Sequence, residues 1–246
     1  MPRFLVLDLW GPLCSWGTVA VGDIRPGQAY PTRSALMGLV AGSLGLKRGD
    51  KQKQRALAES VGVGVMVRRA GRPLRDFHTV EVPQRRRGAR YATRAEELAA
   101  VRENDNPIVS RRDYRADAGY SVALWRREKS SGPRLAELAE ALDRPVFSPY
   151  LGRKACPPGL PLFPRLVEAA TMLEAFLVAE GRAPLLASGL SWPPGKELFW
   201  DADLPASAVG CAPDGVNHRR DQPVDRLKWI FAERPEAWAA LPEKGE

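Results

Sequence analysis

The stretch YPTRSALMGLVAGSLGLKR, residues 30–48, predicts the first helix of the chain and, with the strand before it, the type of fold. Thr32 is a typical N-cap, and apolar residues recur at helical spacing between positions 36 and 44. Gly38 and Gly42 lie inside this helix, where each glycine costs about 1 kcal/mol relative to alanine. Because they are four residues apart, they share one face. We expect that face to pack tightly on a sheet or to let a partner's backbone approach.

The elements around this helix predict an α+β fold. Strand formers and helical periodicity alternate along the chain, with strands predicted at 3–10, 61–69, 72–83, 106–115 and 118–127 and further helices at 49–60 and 133–142. This order matches a ferredoxin-like, RRM-like β-α-β-β-α-β core with a long insertion between central strands. RRM domains bind single-stranded RNA on the sheet face, although a fold alone does not imply a function.

The remaining segments set the domain boundaries that we expect. The RRM-like core takes residues 1–82 and 116–165, an arginine-rich thumb takes 83–115, and an irregular C-terminal region, 166–246, packs on the core. Other expectations concern local structure: a long irregular loop at 13–31, a helix or a helix followed by a strand at 165–180, and a short strand at 226–232.

Charge is concentrated in one part of the chain. The 246 residues contain 37 Lys and Arg against 29 Asp and Glu, a net charge of +8. The window from Arg68 to Arg94 holds nine arginines against Asp76 and Glu81, a net +7, so nearly all of the excess lies there. Such a window is typical of a phosphate-binding surface, with a solvated surface loop as the alternative.

Composition argues against several other classes of protein. Three distant cysteines and two histidines show no metal-ligand spacing, so we expect reduced thiols and no metal. No Walker loop, dinucleotide fingerprint or nucleophile elbow occurs, and we expect no cofactor. The first apolar run is broken by Asp8, and the uncharged stretch 34–46 is too short to span a membrane. We therefore expect a soluble, cytoplasmic protein without a membrane partner.

Several groups of residues are candidates for contact with RNA. Each combines cations with an aromatic ring or a helix N-terminus, and the candidates are Arg33, Ser34, Arg75, Phe77, His78, Arg85, Arg86, Arg87, Arg111, Arg112, Tyr114, Arg153 and Lys154. Strand alternation puts Arg75 and Phe77 on one face and Asp76 and His78 on the other. Phe77 could instead belong to the core. His78 with Asp76 could be an acid–base pair, although a structural or RNA-contacting histidine is the simpler interpretation.

Five segments resemble one protein family in their order and spacing: GPLCSWG (11–17), PTRSALMGLVAGSLGLKR (31–48), LRDFHTV (74–80), SVALW (121–125) and PYLGRKACP (149–157). They are similar to the subtype I-E branch of the fifth CRISPR-associated (Cas) protein family, in the RAMP superfamily, whose members are subunits of the Cascade complex. The resemblance covers roughly residues 1–165. Phe77 stands where the family pattern often has tyrosine, which removes one hydroxyl.

This resemblance implies an RRM-like core with an arginine-rich thumb. It also implies a non-catalytic role in an antiviral ribonucleoprotein complex, in which the subunit holds the 5′ handle of the crRNA. The implied protein partners are the CasC subunits, whose helical backbone it caps, and the large subunit CasA. In related subtypes the equivalent subunit cuts the repeat RNA. The alternative is therefore a metal-independent endoribonuclease that uses His78 or a neighbouring residue.

Overall fold

The computed structural model describes residues 1–84, 88–103, 105–127, 131–180 and 192–242. The strands are β1 (Arg3–Cys14), β2 (Trp16–Gly17), β3 (Ile24–Arg25), β4 (Gly27–Gln28), β5 (Val61–Arg69), β6 (Arg72–Val80), β7 (Ile108–Arg126), β8 (Arg165–Glu168), β9 (Glu197–Asp201), β10 (Gly215–Asp225) and β11 (Ile230–Ala240). The helices are α1 (Arg33–Ser43), α2 (Lys51–Ser60), α3 (Arg94–Ala99), α4 (Leu135–Asp143), α5 (Met172–Glu180) and α6 (Ala206–Val209).

A large antiparallel sheet forms the centre of this mixed α/β fold. Its strand order is β10-β11-β9-β5-β7-β1-β8, and each neighbouring pair on that path is antiparallel. The C-terminal half of β7 pairs with β1 on one side and β5 on the other, so that Val122 lies between Leu7 and Val65. This half contains the stretch SVALW, whose strand was predicted correctly.

Both faces of the sheet are covered by helices. Successive side chains of a strand point to opposite faces, so β7 contributes Val122 and Leu124 to one core and Ala123 and Trp125 to the other. The first core contains the apolar residues of α1, α2 and α4, and the second contains those of α5 and α6. No helix in the described ranges is long and apolar enough to cross a membrane.

A two-stranded ribbon extends from this sheet. Strand β6 pairs with the N-terminal half of β7, from Arg72 opposite Ala116 to Val80 opposite Ile108. Most side chains of β6 are exposed. The predicted strands 106–115 and 118–127 are thus one continuous strand, half in the ribbon and half in the sheet. The expected irregular loop 13–31 contains short strands instead, of which β3 pairs in parallel with Arg111 and Arg112.

The C-terminal region is not irregular, contrary to our expectation. Strand β9 pairs with β5, and the β10–β11 hairpin extends the same sheet. Two prolines lie within these strands, Pro223 and Pro235, at positions where a strand does not need the missing N–H. Pro235, for example, precedes the part of β11 that pairs with β9, which begins at Glu236. The predicted strand at 226–232 covers the hairpin turn, and 165–180 is a strand followed by a helix, the reverse of the predicted order.

The two helix glycines do not face the sheet. The buried face of α1 carries Leu36, Met37 and Val40, whereas a Cβ at Gly38 would lie 3.3 Å from Nη1 of Arg226 and a Cβ at Gly42 would meet no atom within 4 Å. The expected tight packing of the glycine face on the sheet is therefore wrong. Gly38 makes room for an arginine side chain from the β10–β11 turn.

Arg33 is the largest fully buried side chain, with 1% of its surface exposed. Its guanidinium forms an ion pair with Asp201 and donates to the carbonyl oxygens of Ala58 and Val61, at 2.7 Å each. Asp201 also accepts hydrogen bonds from Arg127 at 2.8 Å and Arg234 at 2.9 Å. This buried network joins α1, β9, β11 and Arg127, the residue that follows β7. Burial lowers the pKa of Arg33 to about 10, although the Asp201 charge opposes the shift.

We expect Arg33→Met to destabilise the protein by about 3–5 kcal/mol, because it leaves Asp201 buried without one of its partners. Urea unfolding followed by circular dichroism measures the loss. Arg55→Ala is the matched control, since Arg55 forms only an exposed pair with Glu59 on α2 and its removal should not shift the midpoint measurably. Equal midpoints for the two variants would contradict this role of the network.

Candidate nucleic-acid interface

The ribbon of β6 and β7 divides the predicted RNA-contacting residues between two faces. Residues directly opposite each other on paired strands share a face. One face carries Phe77 opposite Arg111 and Arg75 opposite Asp113. The other face carries His78 opposite Ser110, Asp76 opposite Arg112 and Leu74 opposite Tyr114. The sequence-based assignment of Arg75 and Phe77 to one face, with Asp76 and His78 on the other, agrees with this register.

On the first face, Phe77 and Arg111 form an aromatic and cationic pair that is open to solvent. The Phe77 side chain is 62% exposed and so is not part of the core. Arg111 has no carboxylate partner among the described residues. Arg75, by contrast, forms a two-pronged ion pair with Asp113, at 2.7 and 3.2 Å. The Arg75 hydrogen bond lowers the pKa of the Asp113 carboxyl. Arg75 is therefore already neutralised within the protein.

The second face is joined by a loop that follows α4. The guanidinium of Arg153 lies over the Tyr114 ring, 4.9 Å from its centroid, and donates to the Arg25 carbonyl at 3.3 Å. Gly152 permits this approach, because its φ is +86° and a Cβ there would lie 1.9 Å from the Ser15 carbonyl oxygen. Lys154 is exposed beside Arg153. Two predicted sites that are distant in sequence, Tyr114 and Arg153, are thus brought together.

A cleft of about 290 Å³ opens beside these residues, lined by Trp16, Gln28, Leu74, Arg75, Tyr114 and Arg115 among others. Strand β2 and strand β4 form one of its walls, through Trp16 and Gln28. The cleft therefore combines apolar surface, aromatic rings and guanidinium groups. These are the groups that hold bases and phosphates of single-stranded nucleic acid.

His78 and Asp76 are close to each other in the open. The histidine Nδ1 lies 3.3 Å from Oδ2 of Asp76, and both side chains are about half exposed. Arg112, which faces Asp76 across the ribbon, donates from Nε to the Ser110 hydroxyl at 3.1 Å. Within the described part of the chain, no three His, Cys, Asp or Glu side chains are grouped so that they could hold a metal ion.

The N-terminus of α1 does not offer the phosphate site that Arg33 and Ser34 suggested. Asp221 accepts the backbone N–H of Arg33 at 2.8 Å, and the Thr32 hydroxyl accepts that of Ala35 at 3.2 Å. An internal carboxylate thus takes the place of an external anion. Since the Arg33 side chain is buried and paired with Asp201, it is not accessible to RNA. Arg226 donates to the Ser34 carbonyl from the β10–β11 turn.

A family model described as CRISPR-associated protein (Cas_Cas5) matches residues 4–235. The chain belongs to the Cas5 family. It is 35% identical over 185 residues to the Escherichia coli (strain K12) protein "CRISPR system Cascade subunit CasD", which covers 72% of this chain and 77% of that relative.

Solved structures agree with this membership. A chain of a "CRISPR RNA-guided surveillance complex" superposes with a TM-score of 0.63 at 25% identity, over 98% of this Cas5 chain and 90% of the other. A crystal structure of a "Cas protein" gives a TM-score of 0.60 at 26% identity, over 98% and 96%. The mixed α/β fold with its large antiparallel sheet is therefore a Cas5-like fold.

The structure of this Cas5 chain adds residues that sequence reasoning missed. Arg25 and Trp16 both come from the segment expected to be an irregular loop: Trp16 lines the cleft from β2, which pairs with β4, and the Arg25 carbonyl on β3 accepts the hydrogen bond from Arg153. The motif GPLCSWG pointed to Trp16 as a residue of interest. Nothing in the sequence indicated that Trp16 pairs with Gln28 and lines the cleft. Arg85, Arg86 and Arg87 lie outside the described residues.

We expect Arg75→Ala to raise the pKa of Asp113 towards the ordinary value of an aspartate, because it removes the ion pair. Carboxyl-carbon NMR measures the titration. A depressed folded-state pKa stabilises the protein above the unfolded-state pKa of Asp113, and this contribution disappears as the pH falls through the folded-state value. Arg69→Ala, which breaks the pair with Asp117 instead, is the control. An unchanged Asp113 titration in Arg75→Ala would contradict the pairing.

Proposed function

We propose that this Cas5 chain is a non-catalytic subunit of a type I-E Cascade complex, a cytoplasmic ribonucleoprotein in antiviral defence. In the proposal it binds the 5′ handle of the crRNA, caps the backbone filament of CasC subunits and contacts the large subunit CasA. The observation that carries the proposal is the 35% identity to the Escherichia coli Cascade subunit CasD. The match to a chain of an RNA-guided surveillance complex supports it further.

The division of the chain is part of the proposal. The order β8-β1-β7-β5, with α1 and α2 between β1 and β5 and α4 between β7 and β8, supports a ferredoxin-like core over 1–82 and 116–165. Residues 83–115 form the thumb in this proposal, and the part of β7 within it pairs with β6 of the core range. The region 166–246 then packs on the core through β9, which pairs with β5.

The thumb and the cleft at its base form the proposed RNA-binding surface. Phe77 supplies an open ring for a base, and Arg111 beside it supplies charge for a phosphate. On the other face, Arg153 over Tyr114 provides a second cation and ring pair. His78, Arg112 and Lys154 border these pairs, and Arg85, Arg86 and Arg87 complete the proposed surface. Arg33 and Ser34 are not part of the proposed RNA-binding surface, because Asp201 and Asp221 bind Arg33 and Arg226 binds the Ser34 carbonyl.

We expect the Arg111→Ala, Arg112→Ala double variant to weaken retention of crRNA, because phosphate contacts with cations provide much of the affinity. The slope of log K against log salt should fall by about 0.7 for each lost phosphate contact on a single strand. Filter binding over a salt series measures it. Arg144→Ala is the matched control, since Arg144 is an exposed arginine at the end of α4. An unchanged slope in the double variant would mean that these arginines are solvated surface.

The second candidate function is a metal-independent endoribonuclease. The exposed pair of His78 and Asp76, with 3.3 Å between Nδ1 and Oδ2, favours it, because such a pair can take a proton from a ribose 2′-hydroxyl.

One experiment separates the two functions. The tagged chain is purified with its co-expressed partners, and the 5′ ends of the bound RNA are sequenced. We expect a uniform, short, repeat-derived 5′ end that His78→Ala leaves unaltered, because another subunit makes the cut. If the isolated chain cleaves repeat RNA and its His78→Ala variant does not, the nuclease function is correct. Heterogeneous cellular RNA would argue against both.

A further inference from the structure

The tip of the β10–β11 hairpin exposes an unusual amount of apolar surface. The side chains of Val224, Leu227, Trp229 and Ile230 are between 47% and 57% exposed, within seven consecutive residues. We call these four residues the Trp229 surface. Contiguous exposed apolar residues on a soluble protein usually mark an interaction site.

Trp229 has a backbone conformation that its side chain disfavours. Its φ is +55°, in the left-handed region, where a bulky residue is rare and a glycine is favoured. Strained positions of this kind cluster at functional sites. A glycine would serve the turn better, so the tryptophan ring at this position has a use other than making the turn.

Cations without carboxylate partners surround the Trp229 surface. The guanidinium of Arg48 lies 4.7 Å from the centre of the Trp229 ring, and Lys228 is exposed in the turn. Arg226 donates to the Ser34 carbonyl. None of these three cations has a carboxylate partner in the described part of the chain. Burial lowers the pKa of Arg226, and the charge of Arg48 lowers it further.

The one carboxylate of the turn is already occupied. Asp225 forms an ion pair with Lys51 at 3.1 Å and accepts the backbone N–H groups of Leu227 and Lys228. A groove of about 370 Å³ continues from the turn along α2. Of the cations that line it, Lys51 and Arg55 are paired with Asp225 and Glu59, whereas Arg48 and Arg226 form no ion pair among the described residues. The surface is therefore apolar at its centre and basic at its border.

We propose that the Trp229 surface and this groove dock a segment of another protein subunit that carries apolar side chains flanked by carboxylates. The inference rests on the proposed function only in that the partner belongs to the same ribonucleoprotein complex. Charge complementarity selects an acidic segment, and it argues against a second copy of this chain, whose equivalent surface is also basic. Tryptophan and arginine are the residues that most often dominate such interfaces.

A nucleic acid fits this surface less well than a protein does. Three of the four exposed apolar side chains, Val224, Leu227 and Ile230, are aliphatic and offer no ring on which a base could stack.

The test is a photocrosslink within the assembled complex. Benzoylphenylalanine replaces Trp229, the complex is co-expressed and purified with its crRNA, and crosslinked peptides are identified by mass spectrometry. We expect one protein subunit to crosslink, through a segment with Asp or Glu next to apolar residues. Benzoylphenylalanine at Val216, which is 52% exposed near the other end of the hairpin, is the control and should not reach that segment. A crosslink from position 229 to nucleic acid, or none in an intact complex, overturns the inference.

Two variants complete the test. Trp229→Gly should keep or raise the melting temperature of the chain, because glycine suits a φ of +55°. The same variant, and Arg48→Glu, should reduce the co-purifying partner at least tenfold while crRNA binding to the chain is retained. Undiminished co-purification of the partner with both variants overturns the inference. If the unaltered chain forms no complex with crRNA, the proposed function fails instead.

Discussion

The buried carboxylate of Asp201 accepts hydrogen bonds from arginines on α1, on β11 and directly after β7, and from the backbone N–H of Val63 on β5. An isolated charge at this depth would be costly, and it is tolerated only because all of these donors are present. The donors are spread along the sequence between Arg33 and Arg234. The network therefore forms only when β9 and β11 have joined the sheet beside β5. The C-terminal region is therefore part of the fold's central structure and is not an appendage.

The same network decides what the start of α1 can do. A helix N-terminus favours an anion, and in this chain the anion is internal, because Asp221 accepts the first helical N–H and is itself held by Arg234. Sequence reasoning identified the correct local preference at Arg33 and Ser34. It could not identify the partner, because Asp221 is 188 residues away along the chain. The anion-binding position at the start of α1 is thus occupied by the Asp221 carboxylate and not by a ligand.

The elements that could be predicted are those whose own side chains specify them. Apolar runs were sufficient to predict the strands β1, β5 and the second half of β7. Helical periodicity was sufficient to predict α1 and α4. The β10–β11 hairpin could not be found, because Pro223 and Pro235 lie within its strands and their tolerance depends on which neighbour each strand has. The meeting of Tyr114 with Arg153 depends on a tertiary contact of Gly152 with Ser15, for which no sequence pattern exists.

Net charge in a sequence window overstates the charge that a ligand can use. Six arginines of the window from Arg68 to Arg94 are described, and four of them form ion pairs with carboxylates from outside the window, namely Arg68 with Glu180, Arg69 with Asp117, Arg75 with Asp113 and Arg94 with Glu97. Within the described part of the window, most of the arginine charge is thus neutralised by folding. Arg111 and Arg153 lie outside the window and are not among these pairs. What a polyanion encounters depends on which arginines the fold leaves without carboxylates, and among the described residues these include Arg111 on β7 and Arg153 in the loop after α4.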